Sequence, residues 1–195
     1  MNISPISFGK HIPVTQCQIQ NRKTHEFEPA TIYEVDCSDE SDAIEIENLG
    51  KHWEFSMAIA NDMYRKHHLL KHFSQNNDST FYVLKSKENK IIGIGELEET
   101  DIETYDLKYL ESKSHDKYKY IGQGILAAMA EDILRKNGEK FTVSNPVDDA
   151  YEYYSKECGF EDVYGYFLKM DRQQIIDYLD RTESKLGGPI INLKA

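Results

Sequence analysis

A short segment containing two glycines has the residue types best suited to hold an anion. Residues 119–124, Lys-Tyr-Ile-Gly-Gln-Gly, stand directly before an amphipathic stretch that reaches Lys136. Two glycines separated by one residue let the backbone bend so that successive N–H groups point at one site. A helix that begins there adds the positive end of its dipole. The spacing therefore predicts a phosphate-binding turn, suited to the pyrophosphate of an acyl-coenzyme A or of a nucleotide.

The elements that would position this turn follow from the periodicity around it. Apolar residues at steps of three and four between 126 and 134 predict a helix with one buried face, ended by Asn137-Gly138. The residues beyond it predict, in order, a strand at Phe141–Val143, a break at Ser144-Asn145-Pro146, a helix from Ala150 to Cys158 capped by Asp148 or Asp149, a closing Gly159-Phe160 pair and a strand from Tyr164 to Met170.

This order of elements, with the residues at their junctions, resembles the GNAT superfamily of N-acetyltransferases. The cofactor motif of that family, R/Q-x-x-G-x-G/A, is matched by residues 119–124, with lysine at the first position. A second family pattern, N…A-x-x-x-Y…G-F, is matched by Asn145, Ala150, Tyr154, Gly159 and Phe160. Four residues separate the tyrosine from the glycine, where three are more usual. The resemblance covers residues 30–170 and implies a single-domain α/β fold, with a mixed, mostly antiparallel sheet of roughly six or seven strands flanked by helices.

The chain divides, on this interpretation, into an N-terminal arm (1–29), a GNAT-like domain (30–170) and a C-terminal helix with an extended tail (171–195). The strand that ends near Leu110 should run parallel to Phe141–Val143 and diverge from it to admit the cofactor. The remaining predicted elements are a strand at Thr31–Val35, a helical region between residues 38 and 64, a hairpin of Phe81–Lys85 and Ile91–Leu97 around Glu88-Asn89, a strand in which Tyr105, Leu107 and Tyr109 alternate, and a short helix at Gln173–Leu179.

The resemblance also implies the chemistry of the site. A thiolate leaving group has a pKa of about 8.5 and needs a proton, and an alkylammonium acceptor, with a pKa of about 10.4, must lose one. Tyr154 is the candidate acid, with Tyr153 as its main rival and Ser155 as a further option, and Glu111 is the candidate base, ahead of Glu98 and Glu96. A backbone N–H between Tyr109 and Ser112 would meet the oxyanion. The residues expected to bind the cofactor are Leu110, Lys119, Tyr120, Ile121, Gly122, Gln123, Gly124, Ile125 and Asn145.

The expected activity is transfer of an acetyl group from acetyl-coenzyme A to a primary amine by direct attack. Acidic runs at 34–47 and 96–106 would attract a cationic small molecule or a lysine side chain, or else form a solvated face. One alternative is a catalytically inactive GNAT-like module that binds acyl-CoA or regulates. A Rossmann-type nucleotide turn is a weaker alternative, since Ala127 stands where the third glycine would be.

Composition favours a protein without nucleic-acid or membrane partners. The 195 residues carry a net charge of −11, and no apolar stretch is long enough to span a membrane. Three dispersed cysteines, Cys17, Cys37 and Cys158, suit a reducing cytoplasm and form no metal-binding pair. His68 and His72 lack further ligands at close spacing and are interpreted as surface residues, so we expect no metal. A homodimer is possible.

Overall fold

The structure, a computed structural model, describes residues 11–35, 79–113 and 116–194. These ranges form one ten-stranded sheet and three α-helices. In chain order the elements are β1 (Ile12–Asn21), β2 (Phe27–Val35), β3 (Ser79–Lys85), β4 (Ile91–Asp101), β5 (Thr104–Ser112), β6 (Tyr118–Lys119), α1 (Ile121–Arg135), β7 (Lys140–Ser144), α2 (Asp148–Glu152), a π-helical segment (Tyr153–Cys158), β8 (Glu161–Asp162), β9 (Phe167–Asp171), α3 (Arg172–Lys185) and β10 (Ile191–Asn192).

The sheet is mixed and mostly antiparallel, which confirms the predicted fold class. Its strand order is β10-β1-β2-β3-β4-β5-β7-β9-β8, with β6 beside β1. The pair β5 and β7 is parallel, from Thr104 opposite Lys140 to Asp106 opposite Thr142. Helix α1 connects these two strands, as a parallel crossover requires. The sheet has more strands than the expected six or seven, because β6, β8 and β10 are pairs of only two residues each.

Helix α1 packs against the sheet through the apolar stripe that the sequence predicts. Its apolar stripe is buried, including Met129 and Ile133, which are fully enclosed. Two glycines of β4 let the helix approach closely: a Cβ on Gly93 would stand 2.5 Å from Ile121 Cγ2, and one on Gly95 would stand 2.5 Å from Met129 Cε. This close contact fixes the N-terminus of α1 beside the ends of β4 and β5.

The N-terminal region differs from the expected arm. Residues 12–21 form β1, which pairs with β2 along its length and with β10 and β6. The boundary drawn at residue 29 therefore falls inside β2. The alternation of buried and exposed residues in β1 is obscured in the sequence, because the polar Thr15 is buried and a register shift lies between Pro13 and Thr15. Beyond that shift, Thr15, Cys17 and Ile19 are buried and three glutamines alternate with them.

The C-terminal elements are also longer or capped differently than expected. Helix α3 begins with a capping box, in which Asp171 accepts from the Gln174 N–H and Gln174 accepts from the Asp171 N–H. It continues to Lys185, beyond the predicted end at Leu179. The N-cap of helix α2 is Val147, one residue before the predicted cap at Asp148, and it provides no side-chain cap. The strand predicted from Tyr164 begins at Phe167.

Several predictions fall outside the described residues. They are the helical region between 38 and 64, Cys37, His68, His72 and most of the acidic run 34–47.

Candidate cofactor and active site

A cavity of about 510 Å³ lies at the N-terminus of α1, between the end of β5 and the π-helical segment. A smaller cavity of about 190 Å³ lies where β5 and β7 diverge. Four residues line both cavities, so the two are neighbouring parts of one groove: Leu110, Val147, Ala150 and Tyr154. The other residues that line the larger cavity are Arg22, Glu111, Ser112, Tyr118, Lys119, Tyr120, Ile121, Gly122, Gln123 and Tyr153.

The divergence of β5 from β7 opens the groove. Pairing between the two strands ends at Asp106 opposite Thr142, although β5 continues beside β4 to Ser112. A bulge at Lys108 bends β5 at this point, since Glu96 faces Tyr109 and the next residue, Leu97, faces Leu107. Beyond Asp106, the backbone of β5 therefore no longer pairs with β7 and borders the groove on that side. Its N–H and C=O groups on that side can bind the amides of an extended ligand.

A buried polar cluster holds the strands together just before they separate. The Asp106 carboxylate accepts hydrogen bonds from Thr142 Oγ1 at 2.7 Å and from Ser144 Oγ at 3.1 Å. It also pairs with Lys108 Nζ at 3.0 Å. Asp106 itself is only 3% exposed, so these partners compensate the loss of its hydration. The cluster fixes the position at which the groove begins.

The glycine turn opens a helix whose first turn has no side-chain cap. Tyr120 adopts a left-handed conformation with φ of 71°, and its carbonyl accepts the Gly124 N–H at 3.0 Å. Helix α1 has no side-chain cap and no acidic residue in its first turn. Helix α3 of the same chain, by contrast, has a complete capping box. The first-turn N–H groups of α1 can therefore bind phosphate oxygens, with the helix dipole assisting.

The two glycines of the motif face different surroundings, although both were predicted to bind the cofactor. A Cβ on Gly122 would face the cavity, 3.2 Å from Tyr153 Oη and 3.6 Å from Leu110 Cδ2. A Cβ on Gly124 would instead face the core, 3.0 Å from Cys17 Sγ. The Gly124 N–H is used by Tyr120, and Ile125 is fully buried one turn into the helix. Gly124 and Ile125 therefore contact the core, and the N–H groups left for a candidate anion site are those of Ile121, Gly122 and Gln123.

Two cationic side chains border this anion site. Lys119 was expected there, and it lines the larger cavity as the last residue of β6. Arg22 lines the same cavity, and sequence analysis missed it. It arrives through the pairing of β1 with β6, in which Asn21 faces Tyr118. A contact between residues almost 100 positions apart along the chain leaves no local signal in the sequence. Asn145, also predicted to bind the cofactor, lines the smaller cavity.

Tyr154 lines both cavities, whereas its rival Tyr153 lines only the larger one. The unusual four-residue gap before Gly159 is accommodated by the π-helical segment, because the Gly159 N–H bonds the Tyr154 carbonyl across five residues rather than four. Gly159 adopts φ of 85°, which ends the segment. Burial raises the pKa of Tyr154 above its ordinary value, so its hydroxyl is protonated at neutral pH and can donate.

Glu111 lines the larger cavity, as predicted for a base. Desolvation raises the pKa of its carboxyl from 4.5 to about 7, and its Oε2 is buried without a hydrogen-bond partner. The other candidates are engaged elsewhere: Glu98 pairs with Lys108 at 2.6 Å, and Glu96 accepts from Ser79 Oγ at 2.9 Å. Neither lines either cavity.

Unpartnered polar atoms converge on the larger cavity. Two buried side-chain oxygens that make no hydrogen bond of ordinary geometry belong to residues that line it: Glu111 Oε2 and Tyr153 Oη. Buried polar groups in native proteins are usually satisfied, and an unsatisfied group indicates strain or a missing ligand. Two such groups beside one cavity favour a polar ligand there.

The acidic run 96–106 is not one solvated face, since Glu96 and Asp106 are buried while Glu99 and Asp101 are exposed.

Among the described residues, no group of three potential metal ligands comes together. No helix in the described part of the chain has the length and apolar character needed to cross a membrane.

Comparison with solved structures places the fold among GNAT acetyltransferases. A GNAT-family protein from Desulfovibrio desulfuricans has 12% identity and a TM-score of 0.58, with 73% of this chain and 99% of that chain covered. A GNAT-family acetyltransferase from Staphylococcus aureus Mu50 has 17% identity and a TM-score of 0.55, covering 73% of this chain and 99% of that one. A variant of SpeG spermidine N-acetyltransferase from Vibrio cholerae has 14% identity and a TM-score of 0.55, covering 75% and 96%.

Neither a protein-family model nor a curated protein matches the sequence. The similarity therefore lies in the fold, and at this level it confirms the resemblance drawn from residues 119–124 and 145–160. The chain has the GNAT fold.

Proposed function

We propose that this protein is an N-acetyltransferase that moves an acetyl group from acetyl-coenzyme A to a primary amine by direct attack. The observation that carries the proposal is the single cavity in which an uncapped helix N-terminus, the Tyr154 ring and the Glu111 carboxylate meet. These three features supply an anion site, a proton donor and a proton acceptor.

Binding of the donor follows from the shape of the groove. The pyrophosphate would lie against the N–H groups of Ile121, Gly122 and Gln123, with Lys119 and Arg22 adding positive charge. Lys119 acts as a point charge rather than a bidentate ligand. The pantetheine arm would extend along the unpaired edge of β5, over Leu110, towards the point where the strands separate. An elongated molecule with an anionic end and an amide-rich arm matches this distribution of groups.

Glu111 supplies the proton acceptor. An alkylammonium ion is unreactive as a nucleophile until it loses a proton, and a carboxylate with a pKa of about 7 can take that proton directly or through a water molecule. The neutral amine then attacks the thioester carbon, forming a C–N bond. A backbone N–H near Tyr109 to Ser112 would stabilise the oxyanion that develops.

Tyr154 supplies the proton donor. When the tetrahedral intermediate collapses, the C–S bond breaks and its electron pair passes to sulfur. The Tyr154 hydroxyl, which lines both parts of the groove, would donate its proton to that thiolate. Solvent then returns a proton to Tyr154 and removes one from Glu111. No covalent intermediate with the protein is involved.

A cationic acceptor, either a small molecule or a lysine side chain, fits the electrostatics. The chain has a net charge of −11, and the Glu111 carboxylate lies in the cavity wall without a partner. Spermidine, the substrate named for the Vibrio cholerae neighbour, is one such amine and belongs in the first panel of acceptors.

The test measures binding and turnover separately. Acetyl-coenzyme A should raise Tm in a thermal-shift assay, and an amine panel should release thiol. Tyr154→Phe should lower kcat by about a hundredfold with little change in cofactor affinity. Tyr151→Phe is the matched control, because its hydroxyl bonds Asp162 at 2.7 Å and lines neither cavity. Acetyl-coenzyme A binding with no turnover on any amine would favour the inactive module, and absence of binding would refute the proposal.

A further inference from the structure

The hydroxyl of Tyr153 is buried without a hydrogen-bond partner, at the N-terminus of α1. Its Oη stands 3.2 Å from the position that a Cβ on Gly122 would occupy, closer than any other atom. The side chain lines the larger cavity but not the smaller one. The hydroxyl therefore lies beside the first-turn N–H groups of α1, where the helix dipole is positive.

Other tyrosines of the chain use their hydroxyls within the protein. Tyr82 donates to Asp132 at 2.8 Å, Tyr151 to Asp162 at 2.7 Å and Tyr178 to the Gln123 carbonyl at 3.3 Å. The Tyr153 hydroxyl interacts with the Cys158 thiol, whose pKa burial raises to about 12. A protonated thiol is a weak hydrogen-bonding group, and the contact does not reach ordinary hydrogen-bond geometry. The hydroxyl thus has only a weak acceptor within the protein.

A phosphate oxygen is the acceptor that this position suits. The hydroxyl and the N–H groups of Gly122 and its neighbours are all donors that belong to one part of the cavity wall, and together they match an anion with several oxygens. A hydrogen bond from a hydroxyl to a charged oxygen is roughly twice as strong as one between neutral groups. The same arrangement would be unfavourable for a cationic or purely apolar ligand group.

We propose that Tyr153 is a phosphate-binding residue, whose hydroxyl donates to the pyrophosphate of the acyl donor beside Gly122, while the adjacent Tyr154 acts on the sulfur. This inference rests on the proposed function. Tyr153 would then bind the donor, and Tyr154 would take part in the chemistry. The two side chains point in different directions, because consecutive residues of a helix are rotated by about 100°.

The experiment compares Tyr153→Phe with wild type on two thioesters, acetyl-coenzyme A and S-acetylpantetheine, which lacks the phosphates. The Kd for coenzyme A, measured by titration calorimetry, should rise about tenfold, as expected for one lost hydrogen bond to a charged group. The kcat with acetyl-coenzyme A should remain within about twofold, and kcat/KM for S-acetylpantetheine should not change. Tm of the ligand-free variant should stay close to that of wild type, because the deleted hydroxyl loses only its weak contact with the Cys158 thiol.

Two further variants make the result specific. Tyr151→Phe removes a hydroxyl from the same region outside the cavities and should leave the coenzyme A Kd unchanged. Gly122→Ala adds a methyl group 3.2 Å from the Tyr153 hydroxyl. This methyl group should crowd the proposed phosphate contact and raise the Kd for coenzyme A.

Each other outcome overturns the inference. An unchanged coenzyme A Kd in Tyr153→Phe removes the phosphate contact. Equal losses on both thioesters place the contact elsewhere on the donor. A fall in kcat at constant Kd makes Tyr153 the acid, and a lower Tm of the ligand-free variant gives the hydroxyl a structural role. Failure of the proposed function is recognised separately, because wild type itself would then not bind coenzyme A.

Discussion

Glu111 should make the ligand-free protein less stable as the pH rises through neutrality, and Glu111→Gln should remove that loss. Burial in the cavity wall raises the pKa of the carboxyl from 4.5 to about 7, because its charged form loses hydration without gaining a partner. Between these two values the folded protein holds a proton that the unfolded chain has released. The unfolded state therefore binds fewer protons, and the free energy of unfolding falls with rising pH across this window.

The magnitude follows from the shift. One pKa unit corresponds to about 1.36 kcal/mol, so full burial of this carboxyl would correspond to about 3 kcal/mol. Glu111 is only half-buried, and solvent screening reduces the expected effect to about 1–2 kcal/mol. For a domain of this size, 1 kcal/mol moves Tm by roughly 2–4 °C. Relative to wild type, E111Q should therefore gain roughly 2–8 °C on going from about pH 5 to about pH 8.

Scanning calorimetry of the two proteins across this range measures the difference. Glu103→Gln is the control, because Glu103 is exposed in the β4–β5 turn and water solvates it in both states. A Tm difference between E111Q and wild type that stays constant with pH would refute the reasoning, since the neutral amide differs from the carboxyl only where the carboxyl ionises. The same carboxyl should give an acid limb near pH 7 in kcat/KM, absent from E111Q.

Three further substitutions separate the roles of residues around the glycine turn. Gly122→Val should raise the Kd for acetyl-coenzyme A at least tenfold, because the added side chain meets Tyr153 and the proposed phosphate site. Gly124→Val should instead lower the free energy of unfolding by about 1–3 kcal/mol, because its side chain overpacks against Cys17. The folded fraction of Gly124→Val should keep its affinity for acetyl-coenzyme A. The reverse pattern in calorimetry and titration would show that the two assignments are exchanged. Arg22→Gln should raise the same Kd by roughly threefold to tenfold at low salt and by less at high salt, because salt screens a charge contact. Lys23→Gln is the control, since Lys23 lies outside the cavity, and it should leave the Kd unchanged. A loss of affinity that does not depend on salt would argue against a charge contact.

The elements that sequence analysis predicted well are those with strong local signals. The α1 stripe and the Glu88-Asn89 hairpin each follow from a period of 3.6 or 2 and from turn residues at the ends. The parallel pair of β5 and β7 follows from the GNAT resemblance, in which a helix connects the two strands. The glycine turn also lies where its sequence indicates. Local periodicity thus suffices to position the helix N-terminus on which the candidate site depends.

The features that sequence analysis missed depend on distant contacts. Strand β1 lies in a polar segment, and its pairing with β6 brings Arg22 into the cavity. The separate roles of Gly122 and Gly124 depend on which direction each Cα faces, towards Tyr153 or towards Cys17. A motif gives the spacing of two glycines, but only the packing around them distinguishes a phosphate contact from a helix–sheet contact.

The extra residue between Tyr154 and Gly159 provides a test of how local sequence and site geometry are connected. The Gly159 N–H reaches the Tyr154 carbonyl as a π-type bond across five residues. If one residue is removed from this segment, the same two groups can form the ordinary α-helical bond across four. Lys156 is the residue to delete, because its ammonium contacts only the exposed Glu152, at 2.7 Å.

Deletion of Lys156 should therefore leave Tyr154, Gly159 and Phe160 in place, with a small change in Tm and an unchanged Kd for acetyl-coenzyme A. Deletion of the exposed Asp180 from α3 is the matched control. An α-helix cannot absorb a missing residue, so everything after it rotates by about 100° and the buried Thr182 and Leu186 leave the core. Circular dichroism melts measure the stability of the two deletion variants. An equal loss of stability in both variants would show that the π-helical segment is required by its surroundings rather than produced by one additional residue.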